Sequence, residues 1–167
     1  MAFIKSNGKL ISFATADDLM ARDQRLFETN ESLTEDVILA HLQRATARIL
    51  SKLRSSDWWK SYYIKNSTTS IAEVDIPQLD GNRIVDRLDE FNSLCIYVGM
   101  AEFILPQVAD FGSEDNAEFR KMAHYTTQSE KMYNEIIAAG DWYDFDGTGV
   151  VTTKEKDPGM YNLKRVR

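Results

Sequence analysis

Residues 144–155 read DFDGTGVVTTKE, the stretch of this chain whose residue types and spacing best define a chemistry. Numbered as a twelve-residue calcium loop, they put Asp144 at position 1, Asp146 at 3, Thr148 at 5 and Gly149 at 6. Val150 then offers its carbonyl at position 7, Thr152 stands at 9, and Glu155 at 12 can bind through both oxygens. A hard cation such as Ca2+ is held by oxygen ligands, and the glycine permits the sharp turn around it. Val151, at position 8, matches the apolar residue that such loops turn inward. The flanks fit an EF-hand poorly. Gly140 breaks an entering helix, Asp157-Pro158-Gly159 breaks an exiting one, and no second loop pairs with this one. The hydroxyl at position 5 also lowers the charge and the expected affinity. The residues therefore support two readings, a divalent-ion site or a metal-free acidic turn whose Asp side chains bond to backbone amides.

Little else suggests a reaction. The sequence has no G-x-S-x-G, P-loop or HExxH pattern. Cys95 lies in an apolar run with no base nearby in sequence and reads as a small core residue. His41 and His124, the two histidines, fall at the edges of apolar stripes and read as surface or half-buried side chains. A non-enzyme is expected.

The elements that would position the loop are helical. In residues 34–54, TEDVILAHLQRATARILSKLR, the apolar Ile38, Leu42, Ala45, Ile49 and Leu53 form one narrow stripe, the period of an amphipathic helix. Thr34 suits the N-cap, Glu35 and Asp36 the positive end of the dipole, and Lys52 and Arg54 the negative end. Such a helix is about 30 Å long. Thr15-Ala16-Asp17-Asp18 predicts the start of an earlier helix running to Phe27. Asp57 is placed to cap a short aromatic helix, DWWKSYYIK. Its Trp58, Trp59, Tyr62 and Tyr63 could stack on sugars or bases, but on an acidic chain they read better as the closing end of a bundle.

A further helix is expected over 83–105, bent near Asn92-Ser93 and stopped by Pro106. Its second half, LCIYVGMAEFIL, is apolar nearly all round, which requires burial in the bundle centre or under a partner. The last long helix is predicted from Ser113 to Ala139, with Gly140 as its stop. Asn7-Gly8 between Phe3-Ile4 and Leu10-Ile11 predicts a small hairpin, too slight to stand alone and expected to lie on another element or subunit. Residues 66–82 form a long projecting loop with an edge strand at 72–76.

The expectation is thus an all-α bundle of four to five helices: an N-terminal arm (1–13), a bundle (14–140), and an acidic turn with an extended tail (141–167). At 167 residues and 43% apolar content the chain can bury a core of its own. A net charge of −6 argues against a general nucleic-acid binder. One cysteine cannot close an internal disulfide, which suits synthesis in a reducing cytosol. The N-terminus lacks the apolar stretch of a signal peptide, and no run of 18 apolar residues calls for a membrane. The tail Met160–Arg167, MYNLKRVR, carries Lys164, Arg165 and Arg167 against no acid and reads either as solvated or as an arm for an acidic surface.

Four segments together, TADDLMARDQRLF, TEDVILAHLQRATARILSKLRSSDWW, FNSLCIYVGMAEFILPQVA and the closing YDFDGTG…NLKRVR, resemble the head-to-tail adaptor (head-completion) proteins of tailed bacteriophages. The resemblance spans most of the chain and rests on helix order and texture. It implies a virion protein made in the host cytoplasm. Such a protein forms a homo-oligomeric ring, usually of twelve copies, between the portal protein and a tail-completion protein, with DNA passing through the lumen. It also implies that Tyr161, Asn162, Leu163, Lys164, Arg165, Val166 and Arg167 dock on the portal, and that loop 66–82 faces a neighbour or the tail. No metal role comes with it. The alternative is a small calcium-binding helical module using the 144–155 loop.

Overall fold

The computed structural model describes residues 3–66, 76–109 and 117–156. The edge strand at 72–76 (all but Ile76), the helix start at Ser113 and the tail residues Tyr161, Asn162, Leu163, Lys164, Arg165, Val166 and Arg167 lie outside them.

The described residues are mostly helical, with one two-stranded antiparallel hairpin among them. Strands β1 (Ile4–Ser6) and β2 (Lys9–Ser12) meet across Asn7 and Gly8, whose φ values of 50° and 74° are those of a type I′ turn. The hairpin lies on its own bundle. Phe3 stacks edge-on to Phe13 at 4.8 Å, and a Cβ on Gly81 would come within 2.2 Å of Leu10.

The expected helix from 15 to 27 is two short ones, α1 (Ala16–Met20) and α2 (Gln24–Thr29). Thr15 and Asp18 form a complete capping box, and the Asn92 amide donates to the same Asp18 carboxylate at 2.9 Å. Helix α3 (Glu35–Ser55) buries Ile38, Leu42, Ala45, Ile49 and Leu53, the predicted stripe. Thr34 occupies the N-cap position without a side-chain bond. His41 belongs to the buried face and not to its edge, at 4% exposure, because its ring stacks on Phe103. Helix α4 (Asp57–Asn66) is capped by Ser56, whose hydroxyl accepts from Trp59 N–H; Asp57 is already inside the helix.

A 3-10 turn (Gly81–Arg83) precedes α5, which starts at Leu88, five residues later than expected. The reason is local: Ile84 pairs with Tyr143 as an isolated antiparallel bridge, so the chain is extended at Ile84 and cannot be helical there. Helix α5 is continuous over Leu88–Val108, unbroken at Asn92-Ser93 and not stopped by Pro106. A π-helical stretch, Gly99–Ile104, widens the ladder just before the proline, and Pro106 then falls in the first turn of the closing α segment, where its missing N–H is harmless. By length and composition α5 could cross a membrane, but 61% of its most apolar 18-residue stretch is buried inside the bundle. Leu94, Cys95, Ile96, Met100, Ile104 and Leu105 are all core residues, so this helix needs no partner to cover it. Helix α6 (Ala117–Ala139) lies along α5 and buries Ile136 fully; His124 on it is exposed.

Candidate functional site: the 144–155 clasp

After α6, Gly140 turns the chain with φ of +63°. A Cβ there would stand 1.9 Å from the carbonyl oxygen of Lys156, so only glycine lets the two segments approach. Trp142 and Tyr143 then enter the core, and the 83–85 segment pairs with 142–144 through Val85 N–H to Trp142 O and Asp144 N–H to Arg83 O. This pairing delivers Asp144 to the loop at 3% exposure.

Two carboxylates organise the loop. Asp144 accepts from the N–H groups of Gly147 at 2.7 Å, Thr148 at 3.2 Å and Gly149 at 2.7 Å. Glu155, 5% exposed, sits in the one-turn helix α7 (Thr153–Lys156) and reaches back across the loop. Its Oε1 accepts from Phe145 N–H at 2.7 Å and Asp146 N–H at 3.1 Å, and its Oε2 from the N–H and hydroxyl of Thr152, each at 2.7 Å. Burial pushes both carboxyls up, but the loop amides outweigh it. Gly149 and Gly147, with the Asp146 contact, hold Asp144 below the usual carboxylate range, and Thr152, Asp146 and Phe145 do the same for Glu155. The buried charge is thus met almost wholly by main-chain donors.

The loop is pressed onto α4. Phe145 stacks on Tyr62 with ring centroids 3.7 Å apart and lies 5.4 Å from Trp59. Trp58 donates its indole N–H to Lys156 O at 3.2 Å, and Arg83 donates to Phe145 O at 2.6 Å. Burial raises Tyr143 to about 12, and its hydroxyl oxygen accepts from Asp80 N–H at 3.4 Å. The aromatic run therefore closes the end of the bundle, with Trp59 fully buried.

Fit to a cation is partial. Ligand atoms of Asp144, Asp146 and Glu155 all lie within 4.8 Å of one another. Against this, both Glu155 oxygens are already engaged by loop donors, and the Val150 carbonyl accepts from Thr148 Oγ1 at 3.2 Å. The Thr152 hydroxyl is bonded to Glu155. Of the six proposed ligands, Asp146 alone is exposed while keeping an oxygen outside these bonds. For Glu155 to take an ion it must release the amides of Phe145, Asp146 and Thr152.

The sequence brought these ligands together but missed what holds them. Trp58 and Arg83 are distant in sequence, and only Gly140, just ahead of the loop, carried a local signal. The Cys95 thiol is fully buried, held by Thr46 Oγ1 at 3.4 Å and pushed up to about 11 by that burial, so it is no nucleophile. The chain matches no protein-family model, no curated protein and no solved structure.

Proposed function

We propose that this chain is a structural virion subunit, an adaptor that joins the portal of a tailed phage to its tail as part of a homo-oligomeric ring around the DNA channel. The observation that carries the reading is the anchoring of Lys156. The Trp58 indole, the Gly140 turn and the Glu155 clasp hold the chain up to that residue, so the basic 157–167 segment departs from a fixed point. A basic arm that leaves from a rigid root suits docking onto an acidic surface, since the root needs no reordering on binding. A net charge of −6 also suits a channel that DNA must pass without sticking. Helix α5 contributes little to the ring contacts, because most of its apolar residues are buried inside one bundle.

The test is native mass spectrometry of the full chain with and without the portal ring of the same phage, beside a variant lacking residues 157–167. Capture of the full chain and loss of capture by the truncation are expected. A chain that ignores the portal overturns the reading.

A calcium-binding module is the second reading, favoured by the convergence of Asp144, Asp146 and Glu155. Calorimetry with Ca2+ decides it: heat from the wild type that Asp144→Ala abolishes supports it, and no heat from the wild type rejects it.

A further inference from the structure

We propose that copies of this chain dock head-to-tail, the Val150 tip of one loop seating in the groove between α3 and α6 of the next. The proposal rests on the ring reading and gives it a contact. Val150 is 67% exposed, and only it and Ile64 are large exposed apolar side chains among the described residues. Ile64 adjoins residues that are not described, whereas Val150 crowns the run 146–150, every residue of which is exposed. Asp146, exposed in the same run, accepts from Thr148 N–H at 3.0 Å and adds negative charge to the loop.

The groove has the complementary character. It encloses about 330 Å3, at the small end of ligand clefts. Ile49, Leu94 and Val98 close its base, and the aliphatic stems of Arg48 and Lys52 form the rim with the half-buried Tyr133 ring opposite. Arg48 is paired with Glu102 at 3.5 Å. Lys52 lies over the Tyr133 ring at 4.1 Å and has no ion pair with a described carboxylate. An apolar knob on an acidic loop meets there an apolar-walled slot with an adjacent ammonium. Knob and slot lie on different parts of one chain, so the contact is heterologous, the kind that closes into a ring or runs on as a filament. The clasp fixes the knob in advance, which lowers the cost of docking.

Sedimentation velocity on the full chain tests this with Val150→Asp and Lys52→Glu, both at exposed positions, with circular dichroism confirming the fold. The wild type is expected to associate with rising concentration, and each variant to remain monomeric. An equimolar mixture of the two variants should form dimers and nothing larger, because one knob and one slot survive between them. Asp146→Lys combined with Lys52→Glu in one chain should recover association. A wild type that is monomeric at every concentration, or variants that associate like it, overturns the proposal. So does association that survives Val150→Asp but is lost without residues 157–167. Portal capture is read separately, so a chain that binds the portal while Val150→Asp changes nothing overturns this contact and leaves the adaptor reading standing.

Discussion

Arg87 donates from Nη2 to Asp141 Oδ2 at 3.0 Å while its own backbone sits in the left-handed region at φ of 56°. The same guanidinium grips both oxygens of Glu90, at 2.9 and 2.8 Å. Asp86 Oδ1 meets the Arg87 backbone N–H at 2.8 Å, so the side chains around it hold the residue in this conformation. Arg87 stands at the N-cap of α5 and ties the post-α6 segment to the start of the core helix.

Replacing Arg87 separates the ion pairs from the strain. Arg87→Ala loses the pairs and keeps the left-handed backbone, whereas Arg87→Gly loses the pairs and relieves it. The glycine variant should be more stable than the alanine variant by about 1 kcal/mol, and both less stable than the wild type. Urea denaturation of the three proteins measures the order.

The root of the tail should fail at Gly140. Gly140→Ala adds a methyl group against the Lys156 carbonyl and forces a side chain into φ of +63°. A loss of about 2–4 kcal/mol is expected, with weaker amide protection over 153–156 in hydrogen exchange. Trp58→Phe removes the indole donor together with part of the ring packed on Trp142 and Phe145, and should cost about 1–2 kcal/mol.

Glu155→Ala strips four donors of their acceptor at one stroke. Buried amides left unpaired cost about 1–3 kcal/mol each where water cannot replace the partner. Because the loop is open on one side, the expected total is nearer 3 kcal/mol than the full sum. Protease nicking between 146 and 152, absent in the wild type, is the direct readout.

Acid should act through His41. Burial first, and then the neighbouring Arg44, hold its pKa below the usual 6.5, while the unfolded chain titrates near that value. Between those two values the unfolded state binds more protons, so stability falls as pH drops below about 6.5. The urea midpoint is expected to fall between pH 7.5 and 5.5, and to fall less in His41→Leu over the same window.

Where one element supplied its own pattern, the sequence was readable. The α3 stripe, the Asn7-Gly8 turn and the Thr15 capping signal all act within a few residues, and all appear in the structure. Pro106 misled because its usual penalty is a lost bond to a preceding carbonyl, and the π-helical stretch before it removes that penalty. The late start of α5 was hidden for another reason: the pairing of Ile84 with Tyr143 joins residues 59 positions apart. The loop ligands were legible as a spacing, yet that spacing serves the metal-free clasp equally well. Both uses need carboxylates at the two ends and glycine between them.

Since Asp144 and Glu155 grasp main-chain amides, the side chains at the crest of the loop contribute little to its shape. Evolution could therefore rewrite what position 150 displays without re-engineering the scaffold beneath. A family built on this frame could change its dialect at one small knuckle while its architecture stayed put.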